Sequence, residues 1–252
     1  MAQKKRQSMK KGRAKKGGAA KGVVVIAVLL LAFGIFWNNF TKIRVIEVTG
    51  VSLAEADEIA RRSGITTGMH IGDIDEEAIG RALGTMGQWE FLGMETEGHS
   101  TVRLNMRTRY ERAVVHYAGS SLVLDEYGQV MENRKDDPEY SLLEIVGLEI
   151  RSAVIGQELD TTDKNQIYSV RDIIMALDQT GAYSRIKELN AKDLDNLYLI
   201  TVTGLRVEIG VAENLESKFA WMDAVLDSLE AEGVYSGTLD VSTGESAVYK
   251  PQ

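Results

Sequence analysis

The sequence predicts an α+β protein with an N-terminal transmembrane helix, a small domain of three strands and two helices, and then a larger β-rich domain with two helices. Three observations predict this. An uncharged apolar run at 23–37 follows a strongly cationic tail. Between residues 43 and 108, period-2 and period-3.6 apolar patterns alternate in the order strand, helix, helix, strand, strand. After residue 112, short alternating runs separated by tight turns dominate, interrupted by only two long helical stripes.

Of 252 residues, 29 are Lys or Arg and 37 are Asp or Glu, for a net charge of −8. Lys4, Lys5, Arg6, Lys10, Lys11, Arg13, Lys15, Lys16 and Lys21 place nine positive charges in the first 21 residues, with no acid among them. The remainder is acidic, and so sharp an asymmetry indicates two compartments or a tail with a polyanionic partner. The run that follows decides for two compartments. A helix over 22–40 would extend roughly 28 Å, close to the apolar thickness of a bilayer. Cations immediately ahead of an apolar run hold the N-terminus inside, and Phe33, Phe36, Trp37 and Phe40 supply aromatic anchors for the outer interface. The expected organisation is a basic cytoplasmic tail at 1–21, a transmembrane helix at 22–40, and extracytoplasmic domains at 42–112 and 113–252. A cleaved signal peptide is the rival reading, with Ala32-Phe33-Gly34 as its small-x-small site. The long basic region and the bulky Ile35-Phe36-Trp37 argue against it. There is no cysteine, so no disulfide framework supports the outer region.

In the first domain, residues 43–48 alternate and end at Gly50, as a strand does. Ser52 with Glu55 has capping-box spacing, and Leu53, Ala56, Ile59 and Ala60 form the stripe of a first helix. A second helix is expected over 73–85, with Asp75, Glu76 and Glu77 in its first turn and Ile74, Ala78, Ile79, Ala82 and Leu83 on its buried face. Residues 89–95 and 101–108 read as antiparallel strands, with Val102, Leu104 and Met106 opposite Arg103, Asn105 and Arg107. Two helices on one face of a three-stranded sheet would bury these stripes.

In the second domain, strands are expected at 113–117, 121–125, 129–132 and 142–146. A helix at 164–181 carries Ile167, Val170, Ile173, Ile174 and Leu177 on one side. Strands at 186–189, 197–202 and 206–209 follow, then a helix at 213–232 with the stripe Leu215, Phe219, Met222, Val225, Leu226 and Leu229. Lys218 is assigned to that helix's solvent face. Strands at 238–241 and 247–249 close the chain.

Motifs for chemistry are lacking. His70, His99 and His116 have no second ligand at metal spacing, and each reads as a loop or solvent-face residue. Asp73, Asp75, Glu76 and Glu77 lack the glycine turn and distal Glu of a calcium loop, which leaves helix capping. Gly64, Gly68 and Gly72 fit no phosphate cradle, and the usual hydrolase and metalloprotease motifs are absent.

Several segments together carry a family resemblance. They are the basic tail with its single span, Ile43-Arg44-Val45-Ile46-Glu47-Val48-Thr49-Gly50 directly after it, and Met106-Arg107-Thr108-Arg109-Tyr110-Glu111-Arg112 at the domain junction. Leu122-Val123-Leu124-Asp125-Glu126-Tyr127-Gly128-Gln129-Val130, Gly204-Leu205-Arg206-Val207-Glu208-Ile209-Gly210 and Leu239-Asp240-Val241-Ser242 extend the match toward the end of the chain. In this order they resemble the bacterial cell-division family FtsQ/DivIB. The resemblance implies a POTRA domain over 42–112 and an FtsQ-type β domain over 113–252. It implies a non-enzymatic divisome scaffold at the septum, single-pass in the plasma membrane. The implied partners are small coiled-coil membrane proteins of the FtsB and FtsL type and the septal peptidoglycan synthesis machinery. No cofactor, metal, nucleic acid or small-molecule substrate is implied. The implied partner-contacting residues are Val241, Ser242, Thr243 and Tyr249, at a C-terminal strand pair whose edge would accept another strand. The alternatives are a membrane-anchored POTRA component of a translocation or sporulation complex, and a cell-wall enzyme or its regulator. The first should lack the 204–210 and 239–242 patterns, and an enzyme would need paired acids or a nucleophile with its base.

Overall fold

The structure, a computed structural model, describes residues 17–134 and 142–251, without the side chains of 17–21, 38 and 39. The basic tail expected at 1–21 therefore lies mostly outside the described residues. Helix α1 spans Gly17–Phe40. Its continuous run of described side chains, 22 to 37, covers roughly 24 Å at 1.5 Å per residue. Among the described residues no helix is long and apolar enough to cross a membrane. The large apolar side chains from Val23 to Trp37 are nonetheless more than half exposed.

The first domain follows the expected order: β1 (Val45–Thr49), α2 (Leu53–Arg62), a 3-10 turn at Ile71–Asp73, α3 (Glu76–Gly84), β2 (Trp89–Glu97) and β3 (Thr101–Thr108). Its sheet runs β1-β3-β2, with β1 parallel and β2 antiparallel to β3. A parallel pair needs a long crossover, and α2 and α3 provide it. Val102, Leu104 and Met106 are buried beneath Ile59, Ile79 and Leu83 of the two helices, joined by Ile43 and Trp89. On the opposite, polar face Arg103 reaches Glu47 of β1 at 2.9 Å and Glu97 of β2 at 2.6 Å.

At the start of α2, the Ser52 amide and hydroxyl both donate to Glu55 Oε2, at 2.9 and 2.5 Å. The Trp89 indole donates to the other oxygen at 3.2 Å. These bonds, that of the Ser52 hydroxyl first, hold the Glu55 carboxyl below its usual range. Helix α3 begins later than residue 73 because Asp75 takes the N-cap, accepting from the Ala78 amide at 3.0 Å.

The second domain is built on one nine-stranded sheet. Its strands are β4 (Ala113–Tyr117), β5 (Ser120–Leu124), β6 (Val130–Arg134), β7 (Leu143–Val146), β10 (Ile186–Asn190), β11 (Leu197–Thr201), β12 (Arg206–Gly210), β13 (Thr238–Asp240) and β14 (Val248–Lys250). Their order is β14-β13-β12-β11-β10-β7-β4-β5-β6. Helix α4 (Lys164–Thr180) carries the chain between the parallel neighbours β7 and β10, and α5 (Leu215–Ala231) does so between the parallel β12 and β13. Both helices press their stripes onto the sheet, where Ile167, Val170, Ile173, Ile174, Leu177, Phe219 and Met222 are buried with Leu189, Leu199 and Val207. Arg185 pins α5 through Asp223 at 3.0 Å, Asp227 at 2.6 Å and Glu230 at 3.0 Å. A two-stranded ribbon, β8 (Ile150–Ser152) with β9 (Asp160–Thr161), was not expected, because pieces so short carry no periodicity.

Two placements are corrected. Lys218 is 2% exposed and faces the core rather than solvent. His70 is half-buried and bonded to Thr41 rather than simply exposed on a loop.

The two domains meet at a close joint. A Cβ on Gly87 would fall 1.7 Å from the Met131 carbonyl oxygen of β6, and one on Gly156 would fall 1.6 Å from the Gly84 carbonyl oxygen. Arg107, paired with Glu90, lies over the Tyr127 ring at 4.7 Å. The Arg109 guanidinium and the Asp125 carboxylate, both buried, stand 3.4 Å apart, and burial raises the Asp125 pKa above its ordinary value. Asp125 Oδ1 also accepts from the Tyr127 and Gln129 amides, fixing the β5–β6 turn that faces the first domain.

Candidate interaction surface

Strand β14 ends the nine-stranded sheet. It pairs with β13 in the register Thr238↔Lys250, Leu239↔Tyr249, Asp240↔Val248, and among the described residues no strand lies beyond it. An edge strand keeps one row of backbone N–H and C=O groups unpaired, which is what a second chain needs in order to add a strand. Val248 is 51% exposed on this edge, and Lys250 is exposed with its ammonium 3.8 Å from Asp240.

Tyr249 lies between them and packs partly against the core, its hydroxyl donating to the Ser236 carbonyl at 2.6 Å. The ring runs so close to Gly237 that a Cβ there would come within 2.9 Å of its hydroxyl, at a φ of +119° that already favours glycine. The tyrosine thus anchors β14 to the loop before β13.

The four residues implied as partner contacts do not share one strand. Val241 is 0% exposed within the core. Ser242 and Thr243 lie in the turn after β13, where the Ser242 amide and hydroxyl donate to Asp240 Oδ1 at 3.1 and 2.7 Å. That hydroxyl is the first reason the Asp240 carboxyl sits below its usual range. Thr243 is exposed and its hydroxyl accepts from the Glu245 amide at 3.3 Å. Only Tyr249 is on β14. Val248 and Lys250 were not singled out from sequence, although each neighbours Tyr249 and so must face the other side of the strand.

Lys218 supports this corner from beneath. Its ammonium donates to the carbonyls of Ile209 and Val211, both at 2.8 Å, at the end of β12. Its Cγ lies 3.6 Å from where a Cβ on Gly244 would stand, so its stem underlies the β13–β14 turn. Burial pushes its pKa down, and Glu213 only partly opposes this.

Two other edges are partly engaged by the chain itself. The Val130 amide at the start of β6 donates to Gln157 O at 2.8 Å, and Val130 O accepts from the Gly156 amide at 2.7 Å, so the chain's own loop covers that end. On β2 the Met94 amide donates to Glu76 Oε1 at 3.0 Å. Among the described residues strand β1 pairs only with β3, and it borders a shallow groove lined by Ile46, Asp57, Ala60, Arg61, Ile65 and Thr67. A cleft of about 290 Å³ at the domain joint, lined by Arg62, Trp89, Glu111 and Glu132 among others, mixes both charges. Among the described residues no group of three His, Cys, Asp or Glu could hold a metal ion.

No family model matches the sequence, and no curated protein matches it. Among solved structures, the chain is similar to the major extracytoplasmic domain of the trans isomer of the bacterial cell division protein DivIB from Geobacillus stearothermophilus. The identity is 16%, the TM-score is 0.34, and the match covers 49% of this chain and 95% of that one. At that identity and score, neither fold nor function passes from that protein to this chain.

Proposed function

We propose that this protein is a membrane-anchored, non-enzymatic cell-division scaffold that captures a partner segment as an added strand on β14. The division role rests on the ordered FtsQ/DivIB-like segments of the sequence. The proposed partners are coiled-coil membrane proteins of the FtsB and FtsL type, through which the septal peptidoglycan synthesis machinery is linked. The proposed anchor is α1, apolar from Val23 to Trp37 with its side chains turned outward all round, as a helix in lipid would be. The observation that carries the capture mechanism is the position of β14 as an outermost strand bonded on one side only.

Deleting residues 247–252 tests this. Leu239 and Val241 stay in place in that truncation, whereas a deletion from 238 would strip both from the core. The truncated chain is expected to remain folded and inserted and to lose its coiled-coil partners in a pulldown from membranes. Undiminished co-purification of those partners would reject strand capture at β14.

A further inference from the structure

The exit of α1 is gripped by the first domain. The Thr41 amide donates to Trp37 O at 3.3 Å, and the Thr41 hydroxyl donates to the same carbonyl at 3.2 Å. With its one proton used there, that hydroxyl accepts from His70 Nδ1 at 3.0 Å, which makes the imidazole the donor. The backbone continues the grip. The Ile71 amide donates to Thr41 O at 3.0 Å, the Ile43 amide to Met69 O at 2.8 Å, and the Gly68 amide to Ile43 O at 2.8 Å. A second loop joins in. The His99 ring meets Phe40 edge-on with centroids 4.2 Å apart, and the Arg44 amide donates to Ser100 O at 2.7 Å. Two loops, 68–71 and 98–100, thus hold the residues that follow the last turn of the helix.

Phe40 also belongs to an aromatic cluster at that end of α1. Phe36 stacks on it at 5.3 Å, and Phe33 stacks on Trp37 at 5.8 Å. Of these rings Trp37 is amphipathic, and such rings gather at the level of lipid headgroups, which sets that level one turn before Thr41. Because His99 lies against Phe40, the tip of the β2–β3 hairpin is at that same level. Lys42 and His99 offer N–H donors there of the kind that phosphate oxygens accept, while the His70 N–H is spent on Thr41. Glu97, at the base of the tip, is already engaged by Arg103.

We propose that the loops at 68–71 and 98–100 rest in the phospholipid headgroup layer, so that the first domain is seated on the membrane and not swung on a tether. This rests on the reading of α1 as a membrane anchor. A seated domain, joined tightly to the second, holds the β14 edge at one height, where a membrane-borne partner meets it without a search.

The chain has no cysteine, so single fluorescent labels are clean probes. The full chain would be labelled at Leu30→Cys, His99→Cys, Ser100→Cys or Glu245→Cys and reconstituted in phosphatidylcholine vesicles. These vesicles would carry nitroxide lipids labelled either at the headgroup or in the acyl chain. The expected result is loss of fluorescence at 30 with acyl-chain nitroxides, and at 99 and 100 with headgroup nitroxides, with little loss at 245. The Ser100 label leaves the His99 ring in place. Quenching at 30 with 99 and 100 no more affected than 245 overturns the seating while the anchor stands. No acyl-chain quenching at 30 overturns the anchor, and the seating with it.

Discussion

Gly87→Ala probes the joint between the two sheets, and the sign of its effect is decided by the structure. The added Cβ would lie 1.7 Å from Met131 O, 2.5 Å from its carbonyl carbon and 2.7 Å from its Cα. Ordinary heavy-atom contact is about 3.5–4.0 Å, so one backbone has to retreat by roughly 2 Å. Neither backbone can simply step aside, since Gly87 lies between α3 and β2, and Met131, the bulged residue of β6, is bracketed by the pairs of Val130 with Leu124 and Glu132 with Val123. Overpacking of this kind costs about 1–3 kcal/mol. Without the contact, Gly→Ala at an ordinary φ stabilises by about 0.4–1 kcal/mol through the unfolded chain. At about 2–4 °C per kcal/mol, the joint predicts a fall in Tm of roughly 2–12 °C and its absence a rise of roughly 1–4 °C. Calorimetry of the full-length chain reads the shift, and hydrogen exchange should show faster exchange in β6 and at 154–158. Gly156→Ala acts on the same joint, so the double variant should lose less than the two single losses added together. An unchanged or raised Tm in Gly87→Ala would refute the close joint.

Lys218→Met keeps the stem of the side chain and removes the amine. Because burial places the folded pKa of Lys218 below its ordinary 10.5, the unfolded chain binds more protons between the two values and stability rises with pH across that window. The neutral amine still offers two N–H donors for Ile209 O and Val211 O, so urea unfolding from neutral pH upward should show the wild type gaining on the variant. A gap that narrows with pH contradicts this. Arg185→Gln leaves Asp223, Asp227 and Glu230 without their shared cation on one side of α5. The expected loss is about 1–2 kcal/mol after allowing for partial exposure, smaller in high salt, where the three carboxylates repel less. Equal losses at low and high salt would show that the clamp does not act through charge.

The first domain was legible because its periodicities are clean. Val102, Leu104 and Met106 alternate strictly and are all buried, and Ser52 with Glu55 forms the local bonds that their spacing announced. The α4 stripe reads equally well, since all five of its apolar members are buried. Strand order in the large sheet was not legible, because the β7–β10, β4–β7 and β12–β13 pairings join segments distant in sequence. Lys218 shows a signal misread. It follows Leu215 by three and precedes Met222 by four, squarely within the buried stripe, but its charge suggested water. Carbonyls at the end of β12 take the place of that water. At the edge, the chain alone could not separate strand from turn: Val241 went to the core, Ser242 and Thr243 to the turn, and β14 fell one residue later than expected.

If β14 receives a partner's backbone, a photo-crosslinking side chain at Val248 reports on it directly in dividing cells. The same group at Tyr168, exposed on α4, serves as the control. Strand capture should give a covalent adduct with a small coiled-coil membrane protein from position 248 and none from 168. No adduct at 248, or the same adduct from both positions, would contradict it.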